Sequence, residues 1–192
     1  MGTSVPEIDS VLAPYVEKSY NKYLKDYKKI VYEVGGVYDE NKANKYADEK
    51  TRREIQQGIQ GLEYSLNTIS SSRGDHSFTS VSFGIDTSRW ARMTVEEILK
   101  VRKEGQGKEG HKQTVLFPKL IFLYDSRLHG PGKELEYLFL QSVETSIRRS
   151  YPDYLSLEPG TVLGNFYHET GRAISPMGKI IMLTKKKNSP IT

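Results

Sequence analysis

A periodic apolar stripe of about seven helical turns constrains this fold more than any other feature of the sequence. A second stripe with the same period runs from about residue 14 to residue 33, with lysines on its opposite face. Gly35 and Gly36 separate the two stripes. The sequence therefore predicts two long helices in an antiparallel hairpin, with an apolar edge left for a partner such as a second copy of the chain. The longer stripe consists of Ala43, Ala47, Thr51, Ile55, Ile59, Leu62, Leu66 and Ile69.

Strand and helix patterns alternate after the hairpin. Residues 78–84 are typical of a short strand, and residues 88–103 of an amphipathic helix. The near-continuous apolar run at 115–124 predicts a strand buried on both faces, in which Pro118 indicates a bulge or a later start. Residues 133–149 predict another helix, and only short apolar pieces follow residue 152. This order is typical of a right-handed parallel α/β unit.

The composition limits the chemistry that the chain can perform. None of the 192 residues is cysteine, which excludes disulfides, thiolate metal sites and a thiol nucleophile in this chain. The formal charge of +4 suits anionic ligands such as nucleotides without requiring them. The sequence contains no run of about 18 apolar residues, which a membrane span would need. The first residues, MGTSVPEIDS, lack a signal-peptide pattern. We therefore expect a cytoplasmic protein without membrane partners.

Several short motifs have a structural explanation that is simpler than a functional one. Residues 105–110 spell G-x-G-x-x-G, but they follow a helix and lead into a strand, whereas the dinucleotide fingerprint lies between a strand and the helix it opens. The tripeptide Arg-Gly-Asp at 73–75 indicates a turn. The four histidines are too scattered for a metal pair, so we predict no metal site and interpret them as surface or hydrogen-bonding residues. They are His76, His111, His129 and His168.

The segment from Gly84 to Ser88 is the candidate ligand site. Small and hydroxyl residues at the carboxyl end of a strand, leading into a helix, can hold phosphate or ribose through backbone N–H groups. The same residues also suit an ordinary helix N-cap.

Several segments, taken together, resemble the large catalytic subunit of anaerobic (glycyl-radical, class III) ribonucleoside-triphosphate reductases. Their order and number between residues 12 and 178 carry the resemblance rather than any single tetrapeptide. They are LAPYVEKSY at 12–20, LEYSLNT at 62–68, SFGIDTS at 82–88, ARM at 91–93, ILKVR at 98–102, FPKL at 117–120, YPD at 151–153 and PMG at 176–178.

The resemblance implies a fold and an organisation. The family is built on a ten-stranded α/β barrel, of which this chain would be a partial slice preceded by the long helical hairpin. Residues 1–75 would form the hairpin, with the dimer and effector region; residues 76–178 would form the partial barrel, and residues 179–192 an unrelated basic tail. By resemblance, the loop that relays effector identity to the substrate pocket contains Gly84, Asp86, Thr87 and Ser88. Met177 and Gly178 would lie on the approach to the finger-loop tip.

The sequence departs from the family at the next residue. In the family, Met-Gly is followed by the cysteine that becomes the thiyl radical, whereas this chain has Lys179. We therefore expect no catalytic residue in this chain and no turnover by the chain alone. The abrupt change suggests a reading frame interrupted by an intron or a frameshift. The glycyl radical, the zinc site and the iron–sulfur/S-adenosylmethionine activase implied by the family would lie outside this chain.

The partners implied by the resemblance are a ribonucleoside triphosphate substrate, a deoxynucleotide effector, a second copy bound through the hairpin, the activase and the remainder of the enzyme. A non-catalytic nucleotide-binding or dimerisation module is the alternative. A small nucleic-acid-binding protein is a third hypothesis, because lysines and tyrosines interleave in the first helix. Glu17, Asp26 and Glu33 dilute that basic face.

Overall fold

The computed structural model describes residues 2–68 and 78–173 of the chain. In these residues it has a mixed α/β architecture, as the sequence predicts. Its elements in chain order are β1 (Gly2–Val5), α1 (Ile8–Glu33), α2 (Glu40–Thr68), β2 (Phe78–Phe83), α3 (Arg89–Glu104), β3 (Lys119–Tyr124), α4 (Ser126–His129), α5 (Glu136–Arg149), β4 (Asp153–Ser156) and α6 (Val162–Thr170).

The strands of the described residues form one parallel four-stranded sheet in the order β1-β2-β3-β4. Because all four strands run the same way, their carboxyl ends lie along one edge. The strand β3 begins directly after Pro118, which confirms the later start. The sequence did not predict β1, β4, α4 or α6, because each is short. Helix α1 begins at Ile8 rather than near residue 14, and α5 begins at Glu136 rather than at residue 133.

The main core lies between the sheet and the helices α1, α2, α3 and α5. Phe83 and Phe122 point into this core from the two central strands, with their ring centroids 6.0 Å apart. Alternate residues of β3, Ile121 and Leu123, face the opposite side, where they contact Leu157. The central strands are therefore buried on both faces, as parallel strands usually are.

Helices α1 and α2 contact each other along much of their length. Tyr20 donates a hydrogen bond to the Asn44 side chain at 2.9 Å, and the rings of Tyr27 and Tyr46 lie 5.4 Å apart. Trp90 of α3 packs against Tyr20 with ring centroids 4.9 Å apart. These contacts attach the two long helices to α3.

Candidate functional site

Polar residues from successive chain turns collect at the carboxyl edge of the sheet. This edge is where ligands bind in open parallel sheets. The residues concerned lie after β1, β2, β3 and β4, and they are Glu7, Asp9 and Ser10; Gly84, Asp86 and Ser88; Asp125, Ser126, Arg127 and His129; and Glu158. We take this edge as the candidate site.

Gly84, the first residue of the predicted loop, is hydrogen-bonded through both its backbone N–H and its carbonyl oxygen. Its N–H donates to the Oδ2 atom of Asp9 at 3.0 Å, and its carbonyl oxygen lies 2.8 Å from the Nε2 atom of His129. Its φ angle is 120°, and a Cβ atom there would lie 3.1 Å from the ring of Phe122. Only glycine fits this position without strain.

Asp9 is a fully buried carboxyl group with an incomplete set of partners. Its side chain is 0% exposed, and its Oδ1 atom has no hydrogen-bond partner in the described structure. Burial raises the pKa of Asp9 to about 7 and outweighs the opposing effect of the Gly84 N–H, while the negative charge of Asp86 raises it further. Asp9 therefore changes its charge near neutral pH.

His129 is a neutral bridge between two turns. Its Nε2 atom lies 2.8 Å from the Gly84 carbonyl oxygen, which can only accept, so Nε2 carries a proton. In the neutral ring, Nδ1 then accepts a hydrogen bond from the Asp125 N–H at 3.2 Å; it also lies 3.1 Å from the Asp125 carbonyl oxygen. Burial lowers the pKa of His129, which favours this neutral form. The ring lies against Phe122 and Tyr124, with centroids 5.0 and 5.6 Å away.

The rest of the predicted loop is anchored to α1 and α3. Asp86 accepts hydrogen bonds from the Ser10 hydroxyl at 2.7 Å and from the Ser88 N–H at 2.8 Å. Burial raises the pKa of Asp86, but these hydrogen bonds outweigh it and leave the pKa below its ordinary value. Ser88 caps α3 by accepting from the Ala91 N–H, and Thr87 is exposed. The N–H groups of Ser88 and Ala91, two of the backbone donors that the phosphate hypothesis would use, are therefore occupied by Asp86 and by the Ser88 cap.

A second polar group lies after β3 and β4. Asp125 accepts hydrogen bonds from the backbone N–H and the guanidinium of Arg127, which hold the pKa of Asp125 below its ordinary value. The Glu158 carboxylate accepts from the N–H of Ser126 at 2.6 Å and from its hydroxyl at 3.0 Å. The Arg127 side chain is 59% exposed and also contacts the His168 ring at 3.1 Å. These hydrogen bonds connect the turn after β3 to the segments that follow β4.

Sequence reasoning found the loop residues but assigned no role in the site to Asp9, Asp125, His129 or Glu158. Asp125 could have been identified from the sequence, since an acidic residue directly after a buried strand is a common N-cap of the following helix. Among the histidines, the hydrogen-bonding interpretation fits His129, whereas His76 lies outside the described residues. Met177 and Gly178 also lie outside them.

The described residues contain no cluster of three or more His, Asp or Glu side chains that could hold a metal ion. With no cysteine in the sequence, the donor set does not fit the zinc site that the resemblance implies. No helix within residues 2–68 and 78–173 has the length and apolar character needed to cross a bilayer.

Comparison with known proteins gives one consistent family. The family model described as anaerobic ribonucleoside-triphosphate reductase matches residues 2–188, which extends past Gly178; the predicted boundary at that residue remains a prediction. The anaerobic ribonucleoside-triphosphate reductase of enterobacteria phage T4 is 31% identical over 194 residues, 98% of this chain and 29% of the relative.

Two bacterial relatives of the same name are similar to the chain. The protein of Escherichia coli K12 is 34% identical over 178 residues, and that of Haemophilus influenzae is 35% identical over 179 residues. Each alignment covers 92% of this chain and 23% of the relative. The chain therefore spans about a quarter of the length of these relatives.

Proposed function

Since this chain belongs to the anaerobic ribonucleoside-triphosphate reductase family, we propose that it supplies the effector-responsive part of such an enzyme. The enzyme would reduce ribonucleoside triphosphates to deoxyribonucleotides for DNA synthesis, in the cytoplasm. The four-stranded sheet would be a slice of the ten-stranded barrel. The glycyl radical, the zinc site and the partner activase would act from outside this chain, which would be inactive alone because it has no cysteine to carry a thiyl radical.

The helices α1 and α2 would form the antiparallel hairpin through which two copies associate and beside which a deoxynucleotide binds. An apolar cavity of about 360 Å³ lies between the two helices and supports this part of the proposal. Leu12, Ile55 and Ile59 are among its lining residues. Val11 and Tyr15 are exposed nearby on α1, as expected for a surface that a partner covers.

The loop containing Gly84, Asp86, Thr87 and Ser88 would relay effector identity towards the substrate. One observation carries this proposal: the first turn of α1 is bonded directly to the loop. The Ser10 hydroxyl donates to Asp86 at 2.7 Å, one residue after the buried contact of Asp9 with Gly84. A movement of α1 on effector binding would therefore displace the loop.

Trp90 provides the test, because it is the single tryptophan of the chain, follows the loop by two residues and packs against Tyr20 of α1. Each of the four deoxynucleoside triphosphates is titrated into the chain, with heat and Trp90 fluorescence recorded together. We expect saturable heat and a fluorescence change with at least one of them, and neither with inorganic tripolyphosphate. Absence of heat with all four nucleotides would contradict the proposal.

A matched pair of variants tests the relay itself. Ser10→Ala removes the hydrogen bond to Asp86, so the nucleotide should still bind while the Trp90 response weakens. Ser65→Ala makes the same chemical change on the exposed face of α2 and should leave both signals unchanged. An equal Trp90 response in both variants would refute the route through Ser10.

Dimer formation is tested separately by sedimentation velocity. Leu12→Glu places a charge in the apolar cavity between α1 and α2 and should shift a dimer towards monomer. A binding module without a relay, the alternative hypothesis, predicts the dimer and the nucleotide heat but no change at Trp90.

A further inference from the structure

We propose that Asp9 is a positioning residue that fixes the position of the loop 84–88 through its hydrogen bond to the Gly84 N–H, and that the strength of this bond depends on the protonation of Asp9. His129 is the second support of the Gly84 backbone, through its hydrogen bond to the carbonyl oxygen. This inference rests on the proposed relay function of that loop. It assigns a role to two residues that neither the sequence motifs nor the ligand hypothesis identified.

The two supports of Gly84 come from distant parts of the chain. Asp9 belongs to the first turn of α1 and binds the N–H, while His129 belongs to α4 and binds the carbonyl. Gly84 has a φ angle of 120°, and a Cβ atom there would lie 3.1 Å from the Phe122 ring, so the position between these two supports requires glycine. Loop position is thereby tied to α1 on one side and to β3 and α4 on the other.

The two supports differ in one respect. Both ring nitrogens of His129 bond to backbone groups, and its Nε2–H donates to the Gly84 carbonyl whether the ring is neutral or protonated. Asp9 has only its Oδ2 atom bonded to Gly84, and its Oδ1 atom is buried without a partner in the described structure. An ionised carboxylate accepts a hydrogen bond more strongly than a protonated one. The hold of Asp9 on Gly84 therefore strengthens when the proton leaves.

The groups around Asp9 favour this change near neutral pH. Burial is the main cause of the raised pKa of Asp9, and the negative charge of Asp86, on the loop itself, raises it further. Glu7 on the same turn accepts a hydrogen bond from the Ala173 N–H. Burial raises the pKa of Tyr167 of α6, and the negative charges of Glu7 and Asp86 raise it further. His129 is neutral. A shift of the loop that moves Asp86 changes the proton affinity of Asp9, and by linkage the proton on Asp9 biases the loop.

The test follows the Gly84 amide by nuclear magnetic resonance in glycine-¹⁵N-labelled chain between pH 5 and 9. In the wild type we expect its chemical shift to titrate with a midpoint near 7. Asp9→Asn keeps an acceptor for the Gly84 N–H but cannot ionise, so the titration should disappear. Asp9→Ala removes the acceptor, and amide exchange at Gly84 should become about tenfold faster.

Asp26→Asn, the same substitution on the same helix, is the control and should retain the titration. A Gly84 shift that titrates unchanged in Asp9→Asn would overturn the proposal, even if Asp9→Ala is unfolded. A Gly84 shift that stays flat across the pH range in the wild type would overturn it as well.

The nucleotide titration separates this inference from the proposed function. If Gly84 titrates through Asp9 while no deoxynucleotide changes Trp90 fluorescence, the hold stands and the relay fails. If a deoxynucleotide changes Trp90 fluorescence while the Gly84 shift titrates identically in the wild type and in Asp9→Asn, the relay stands and the role of Asp9 is refuted.

Discussion

The buried ion pair between Glu63 of α2 and Arg102 of α3 provides the most decisive test of how this fold is held together. The Nε atom of Arg102 lies 2.7 Å from the Oε1 atom of Glu63, and the two side chains are 0% and 1% exposed. Arg102 also donates to the carbonyl oxygens of Pro118 at 2.8 Å and Val115 at 3.4 Å. This guanidinium therefore joins α2, α3 and the chain leading into β3.

Glu63→Leu leaves the Arg102 charge buried with carbonyl oxygens but no carboxylate. Breaking a buried pair in this way costs about 3–5 kcal/mol, a large part of the roughly 5–15 kcal/mol that stabilises an ordinary domain. For a chain of this size we expect the melting temperature to fall by roughly 6–20 °C. The double variant Glu63→Leu with Arg102→Met should recover most of this loss, because an apolar pair of similar volume often replaces a buried ion pair without cost.

Urea denaturation followed by Trp90 fluorescence and by circular dichroism measures these differences. Glu144→Gln is the control, since it breaks the more exposed pair between Lys103 and Glu144, whose side chains are 30% and 62% exposed. That change should cost less than about 1 kcal/mol. The reasoning is refuted if Glu63→Leu costs no more stability than Glu144→Gln. It is also refuted if the double variant loses as much stability as Glu63→Leu and Arg102→Met lose separately when added together.

Three further predictions concern the candidate site. Gly84→Ala should lower the free energy of unfolding by about 1–3 kcal/mol, because its φ angle is 120° and the new Cβ atom would lie 3.1 Å from the Phe122 ring. Gly110→Ala, in open space at φ 81°, should lose less in the same urea titration. Ser88→Ala removes the α3 cap and should cost about 0.5–2 kcal/mol by thermal unfolding, and an unchanged melting temperature would contradict the capping role. The raised pKa of Asp9 stabilises the folded state below about pH 4, and this contribution is lost as the pH rises through about 7. Asp9→Asn does not lose it and should therefore become more stable relative to the wild type across that range, by at most about 4 kcal/mol. Equal pH profiles of the two proteins would exclude this contribution of Asp9.

Strong local patterns allowed the long elements to be predicted from the sequence. The stripe at 43–69 corresponds to α2, which spans Glu40–Thr68, and the expected helix at 88–103 corresponds to Arg89–Glu104. The short strands were not predictable, since β1 and β4 contain four residues each. Their strand conformation depends on pairing with β2 and β3, which no local pattern records.

The candidate site was predictable only where its residues have local turn chemistry. Gly84 and Ser88 were identified because glycine and serine mark the junction between a strand and a helix. Asp9 looks like an ordinary acidic residue in the first turn of a helix. Its burial and its contact with Gly84 arise from packing between segments about 75 positions apart, so single-sequence reasoning could not identify its role.

Pairing of β1 with β2 joins residues 2–5 to residues 78–81. Bringing such distant segments together costs chain entropy that is repaid only when the contacts form, whereas helical turns form from neighbouring residues. During synthesis on the ribosome, α1 and α2 emerge before β2 exists, so β1 must wait for its neighbour. We therefore expect the helices to gain structure first and the sheet edge that carries Asp9 and Gly84 to be completed late in folding.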